Sequence, residues 1–136
     1  MCLICRKSTL VNLICCEQNA SGGDILIFGQ SVKSHAGSVR SLLGECKQDD
    51  YLWSFLSAKD HLELFAGIRG LSADEVSTTV QSWLESVDLD VVQDNYTSSF
   101  SGGMKRRLSV AISTIGPSKL IVLGKPAFMT SFADYV

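Results

Sequence analysis

Apolar positions along the 136-residue chain change period several times, and each change predicts an element. Leu10, Leu13 and Ile14 follow i, i+3, i+4 spacing, which predicts the first turns of a helix over residues 7–16. Ser21-Gly22-Gly23 is a turn signal, and Asp24-Ile25-Leu26-Ile27-Phe28 reads as a strand closed by Gly29. Residues 39–43 suit a strand or a short helix equally, with Gly44 as punctuation. From Ser57 the helical period takes over: Leu62, Leu64, Phe65 and Ile68 suit a helix that ends at Gly70. Ser72 and Glu75 then have capping-box spacing. They open a helix to about Val87, with Val76, Val80, Trp83, Leu84 and Val87 on its buried face. Residues 97–103 are loop, a further helix runs to about Thr114, and Gly116-Pro117 stops it. Leu120-Ile121-Val122-Leu123 is a short, wholly apolar strand of the kind found in parallel sheets covered on both faces. No pattern follows Pro126, and no internal repeat or low-complexity run occurs.

These elements make an α/β core interrupted by a long helical insert. The expected division is one partial domain over 1–136, with residues 1–51 and 115–136 in the core and 52–114 in the helical part. Composition agrees with a globular chain, at 46% hydrophobic and 19% charged residues. A net charge of −2 gives no bulk attraction to nucleic acid. No window approaches the roughly 20 apolar residues that span a bilayer. Arg6 and Lys7 interrupt the first apolar stretch, which argues against a signal peptide. The chain is expected to be soluble by itself, or one piece of a membrane assembly. Its five cysteines, an odd count, fit free thiols in a reducing compartment. Cys2 and Cys5 have zinc-ligand spacing, but no second close pair completes a site. Small apolar thiols are the simpler account.

The densest candidate chemistry is Ser101-Gly102-Gly103-Met104-Lys105, within a run from Phe100 to Ala111. A hydroxyl and glycine N–H groups at a helix start make a site for an anion such as a γ-phosphate. This run resembles the signature motif of ABC transporter ATPase domains, in the Ser-Gly-Gly-Met form of the A subfamily. The similarity extends over roughly residues 6–126, including the stretch around Glu63-Leu64-Phe65-Ala66-Gly67-Ile68-Arg69-Gly70. It implies a P-loop NTPase-like α/β core with a parallel sheet, here incomplete, plus an inserted α-helical signature subdomain. It implies ATP and Mg²⁺ as cofactors, and a place on the cytoplasmic face of a membrane within a transporter. Its implied partners are a second ATPase domain in a head-to-tail dimer and a transmembrane domain, the subfamily being one that moves lipids.

The same resemblance assigns the remaining candidates. Lys7, Ser8 and Thr9 align with the end of the phosphate-binding Walker A loop, Lys7 as its lysine and Ser8 as the Mg²⁺ ligand. Met1 and Arg6 stand where that loop has glycines, and Ile4 at its middle one. Gln48, in Cys46-Lys47-Gln48-Asp49-Asp50, aligns with the glutamine that helps hold Mg²⁺ and water, with Lys47 where the family usually has proline. Ser101, Gly102 and Gly103 would face the nucleotide of the opposite subunit. After Leu120–Leu123 the family has Asp-Glu, whereas this chain has Gly124-Lys125. Neither offers the carboxylate that orients the metal or the one that acts as general base. Loss of a general base costs about 10²–10⁴ in rate. The resemblance thus implies a degenerate nucleotide-binding domain with its own hydrolysis lost or strongly impaired and no intact catalytic residue. The alternatives are a signature donor to an intact ATPase domain, a truncated remnant without function, an active ATPase, and a small zinc or thiol protein using Cys2 and Cys5.

Overall fold

A computed structural model describes residues 7–47 and 49–123. Helix α1 spans Lys7–Ile14, and a hairpin of β1 (Leu26–Ile27) and β2 (Gln30–Ser31) follows. Helix α2 (Ala36–Ser41) leads into strand β3 (Leu43–Cys46). Three longer helices come next: α3 (Ala58–Ile68), α4 (Ala73–Ser86) and α5 (Gly102–Thr114). Strand β4 (Leu120–Leu123) closes the described chain. It lies parallel to β3, in the register Leu43 opposite Leu120 through Cys46 opposite Leu123. Parallel strands need a long crossover, and here the crossover contains α3, α4 and α5.

The main core is built by the three long helices. Leu62 of α3, Leu84 of α4 and Leu108 and Ala111 of α5 are fully buried and meet Leu89 and Ile115 from the connections. Each large side chain so buried contributes about 1.5–3 kcal/mol. A smaller cluster of Ile27, Val39 and Leu43 lies under the hairpin, with Ile14, Ile25 and Leu120 packed against it.

Both α3 and α4 start as their sequences dictate. The Ser57 hydroxyl accepts from the Asp60 N–H at 3.1 Å, and the Asp60 carboxylate accepts from the Ser57 N–H at 2.9 Å and from its hydroxyl at 2.7 Å. At α4, the Glu75 carboxylate accepts from the Ser72 N–H at 2.9 Å and its hydroxyl at 2.6 Å, as the spacing leads one to expect.

Several expectations need correction. The strand expected over 24–28 shrinks to Leu26–Ile27, because Phe28 enters the left-handed region at φ 49 and turns the chain into the hairpin. The ambiguous stretch 39–43 is both elements: it ends α2 and begins β3, and Gly44 lies inside the strand. Leu10 on α1 is exposed, as are Leu64 and Ile68 on α3. The inward face of α3 is Ala58, His61, Leu62 and Ala66, so a histidine occupies a place the apolar spacing assigned elsewhere. That is tolerable because both ring nitrogens are satisfied, Nδ1 donating to Ser57 O at 2.7 Å and Nε2 accepting from the Trp53 N–H at 3.0 Å. Trp53 also stacks on the ring, with centroids 5.7 Å apart. Strand β4 is only half-buried, and Ile121 is exposed, because no described element covers that face.

Candidate functional site

Helix α5 begins earlier than the loop expected over 97–103 allows: Thr97–Ser99 forms a 3-10 turn, and Gly102 and Gly103 are the first residues of the helix. Ser101 is its N-cap in extended conformation (φ −65, ψ 161). Its hydroxyl accepts from the Met104 N–H at 3.3 Å, and its carbonyl accepts from the Lys105 N–H at 3.0 Å. The helix itself has no acceptor for the N–H groups of Gly102 and Gly103. Ser101, Gly102 and Gly103 are all exposed, so these donors and the positive end of the helix dipole face outward.

Among the described residues, nothing packed against the two glycines calls for glycine. A Cβ at Gly102 would meet nothing within 4 Å, and one at Gly103 would only touch the Ser101 hydroxyl at 4.0 Å. Neither residue has the positive φ that would call for glycine. Each glycine in a helix costs about 0.8–1.0 kcal/mol relative to alanine. A pair of them at an exposed helix start fits a demand from outside, namely close approach of another group to the backbone.

The segment entering α5 is held firmly. Phe100 is buried, the Thr97 hydroxyl donates to Trp53 O at 2.8 Å, and the Thr97 N–H donates to Leu56 O at 3.0 Å. The Ser98 N–H donates to Ser54 O at 3.2 Å. The start of α5 is therefore positioned by the chain just after residue 50.

A second tie comes from Arg106, one turn into α5 and 8% exposed. Its guanidinium donates to Lys47 O at 2.5 Å and pairs with Asp50 Oδ1 at 3.4 Å. Arg69 at the end of α3 donates to Leu43 O at 2.9 Å, so arginines hold both the start of β3 and the residue that follows it. Lys47 itself pairs with Glu17 at 2.5 Å, and that contact raises the ammonium pKa. Sequence reasoning missed Arg106, which sits in the basic run Lys105-Arg106-Arg107. The available signal was helical phase: Arg106 is four residues before buried Val110, so it lies on the inward face of α5.

The other candidates fall as follows. Ser8 and Thr9 are exposed in the first turn of α1, and no described hydrogen bond joins them to α5. Lys7 begins α1, with its side chain outside the described residues, as are Gln48, Gly124, Lys125, Cys2 and Cys5. Cys15 and Cys46 are buried free thiols. Burial, reinforced by Glu45, pushes the Cys15 thiol up to about 12, and burial also raises Cys46. Both are inert packing groups.

The description ABC transporter matches residues 5–127. The chain belongs to the ABC transporter family. Among curated proteins it is 39% identical over 122 residues to ABC transporter A family member 1 of Dictyostelium discoideum, covering 90% of this chain and 14% of that protein. It is 43% identical to ABC transporter A family member 2 of Arabidopsis thaliana, covering 88% of the chain and 12% of that protein. Cholesterol transporter ABCA5 of Mus musculus is 34% identical over 88% of the chain and 7% of its own length. The cassette thus belongs with the A subfamily and spans a small part of the relatives it matches.

Two solved structures show the fold. An ATP-binding subunit of an ABC transporter superposes with TM-score 0.75 at 23% identity, covering 86% of this chain and 49% of that one. A dimeric ATP-binding cassette in a post-hydrolysis state, bound to ADP and Pi, superposes with TM-score 0.77 at 20% identity, covering 93% and 58%. The fold is that of the P-loop NTPase cassettes.

Proposed function

We propose that this cassette offers Ser101, Gly102 and Gly103 to the phosphates of a nucleotide held by a second cassette, and that its own hydrolysis is lost or strongly impaired. The glycine pair carries this reading. Its N–H groups have no helical acceptor, its surface is bare, and its composition has no explanation in the cassette's own packing. A phosphate supplies the anion that such a helix start binds.

For its own nucleotide the fit is partial. The exposed hydroxyls of Ser8 and Thr9 at the start of α1 have the right chemistry to meet Mg²⁺ and phosphate beside Lys7, with Gln48 as a further oxygen ligand. Gly124 and Lys125 supply no carboxylate to orient a metal or accept a proton from water. The donors present therefore favour binding of MgATP over its hydrolysis.

In the same reading residues 52–114 form the signature subdomain, and 1–51 with 115–136 form the core. The separate hydrophobic clusters in α3–α5 and under the hairpin support that division. Coupling to a transmembrane partner and to lipid transport belongs to the same reading, and the name of one relative, a cholesterol transporter, supports it.

Thermal unfolding with and without MgATP tests the binding half. Nucleotide at about 100 times Kd stabilises a fold by about 2.7 kcal/mol. An upward shift in Tm that Lys7→Ala abolishes is the expected result. A cooperative melt with no shift would remove nucleotide binding from the proposal and leave only the donor role.

A further inference from the structure

Strand β3 and the residues after it are tied to α5 at two places and to the end of α3 at a third. Arg106 grips Lys47 O and Asp50 near the start of the helix. The Ser113 carbonyl near its end packs so closely on Gly44 that a side chain there would not fit. Arg69 holds Leu43 O from the neighbouring helix. Contacts near both ends of α5 thus join the helix to the strand and the residues after it. Residues 47 and 50, which flank Gln48 in sequence, are fixed to α5 by a buried guanidinium that lies five residues, or about 7.5 Å of helix rise, beyond Ser101.

We infer that Arg106 is a positioning residue: it fixes the Lys47 carbonyl and Asp50 in place and makes these two residues follow any displacement of the start of α5. A planar guanidinium suits this task, because it can hold a carbonyl and a carboxylate together in a fixed geometry. The pair is mostly desolvated, with Arg106 and Asp50 side chains 10% and 22% exposed, so solvent competes little for it. The functional half of this inference rests on the donor role proposed for Ser101–Gly103. The structural half does not.

Hydrogen–deuterium exchange on the full chain tests both halves, using wild type, Arg106→Gln, Arg106→Lys and Asp50→Asn. In the absence of nucleotide, Arg106→Gln should speed exchange over residues 49–52 about tenfold and leave residues 73–86 unchanged. Arg106→Lys should recover part of the loss. Asp50→Asn, which leaves the buried arginine in place, should loosen the same segment by a smaller factor. If 49–52 exchange at the wild-type rate in both Arg106→Gln and Asp50→Asn, the inference is overturned.

A second arm adds an intact A-family cassette and a non-hydrolysable ATP analogue. Wild type should then slow exchange at both 101–105 and 49–52, and Arg106→Gln at 101–105 alone. An equal response at 49–52 in Arg106→Gln would overturn the coupling. Absence of any response at 101–105 in wild type would instead strike the donor role, while the nucleotide-free arm still decides what Arg106 does.

Discussion

Gly44 of β3 lies directly beneath the Ser113 carbonyl of α5, in the space a Cβ would occupy. The helix can sit that close only because residue 44 has no side chain. Gly44→Ala should force α5 away from the sheet and cost about 1–3 kcal/mol, the usual penalty for overpacking. Urea denaturation of the variant measures this through its midpoint. A change within about 0.5 kcal/mol, typical of a surface site, would show that the close approach is not needed.

Gly102→Ala should behave in the opposite way. With nothing within 4 Å of the added methyl, alanine should leave stability unchanged or raise it by about 0.5–1 kcal/mol. A drop in Tm would mean that the glycine serves the cassette's own fold, and the case for an external group would weaken.

His61 joins the segment after residue 50 to α3. His61→Phe keeps an aromatic ring beside Trp53 but strips the Trp53 N–H and the Ser57 carbonyl of their ring partners. One unsatisfied buried group costs about 1–3 kcal/mol, and the loss should appear as a lowered denaturation midpoint. An unchanged midpoint would show that water replaces the imidazole.

Acid should weaken the helix starts. The Asp60 carboxyl is held below the usual carboxylate range, first by the Ser57 N–H and then by its hydroxyl. Glu75 is held down by the Ser72 hydroxyl and then its N–H. A carboxylate whose folded pKa is depressed contributes stability above its unfolded pKa, and that contribution fades as pH falls through the folded value. Stability should therefore drop below about pH 4. Asp60→Asn should be less stable at pH 7 and show a shallower acid slope. Parallel pH profiles for variant and wild type would contradict this.

Helix starts and stops were legible because capping chemistry and apolar period are local: Ser72 with Glu75, and Ser101 before Gly102, stand where the sequence puts them. The inner face of α3 was not, since His61 is buried only by virtue of hydrogen bonds to Ser57 and Trp53 that its own helix does not reveal. The 24–28 strand read too long because nothing in the apolar run marks Phe28 as left-handed. In the site, the exposed start of α5 could be read from motif and spacing. Helical phase could place Arg106 on the inward face, but not name its partners, the Lys47 carbonyl and Asp50, more than fifty residues away in the chain. Backbone carbonyls leave no trace in sequence.

The central claim is that Ser101, Gly102 and Gly103 serve another cassette's nucleotide. The most direct test is the ATPase rate of an intact A-family cassette titrated with the full chain, wild type or Gly103→Arg. Wild type should raise the rate saturably, and Gly103→Arg, which fills the bare helix start without disturbing packed residues, should not. An intact cassette whose rate is the same with and without the wild-type chain would contradict the account.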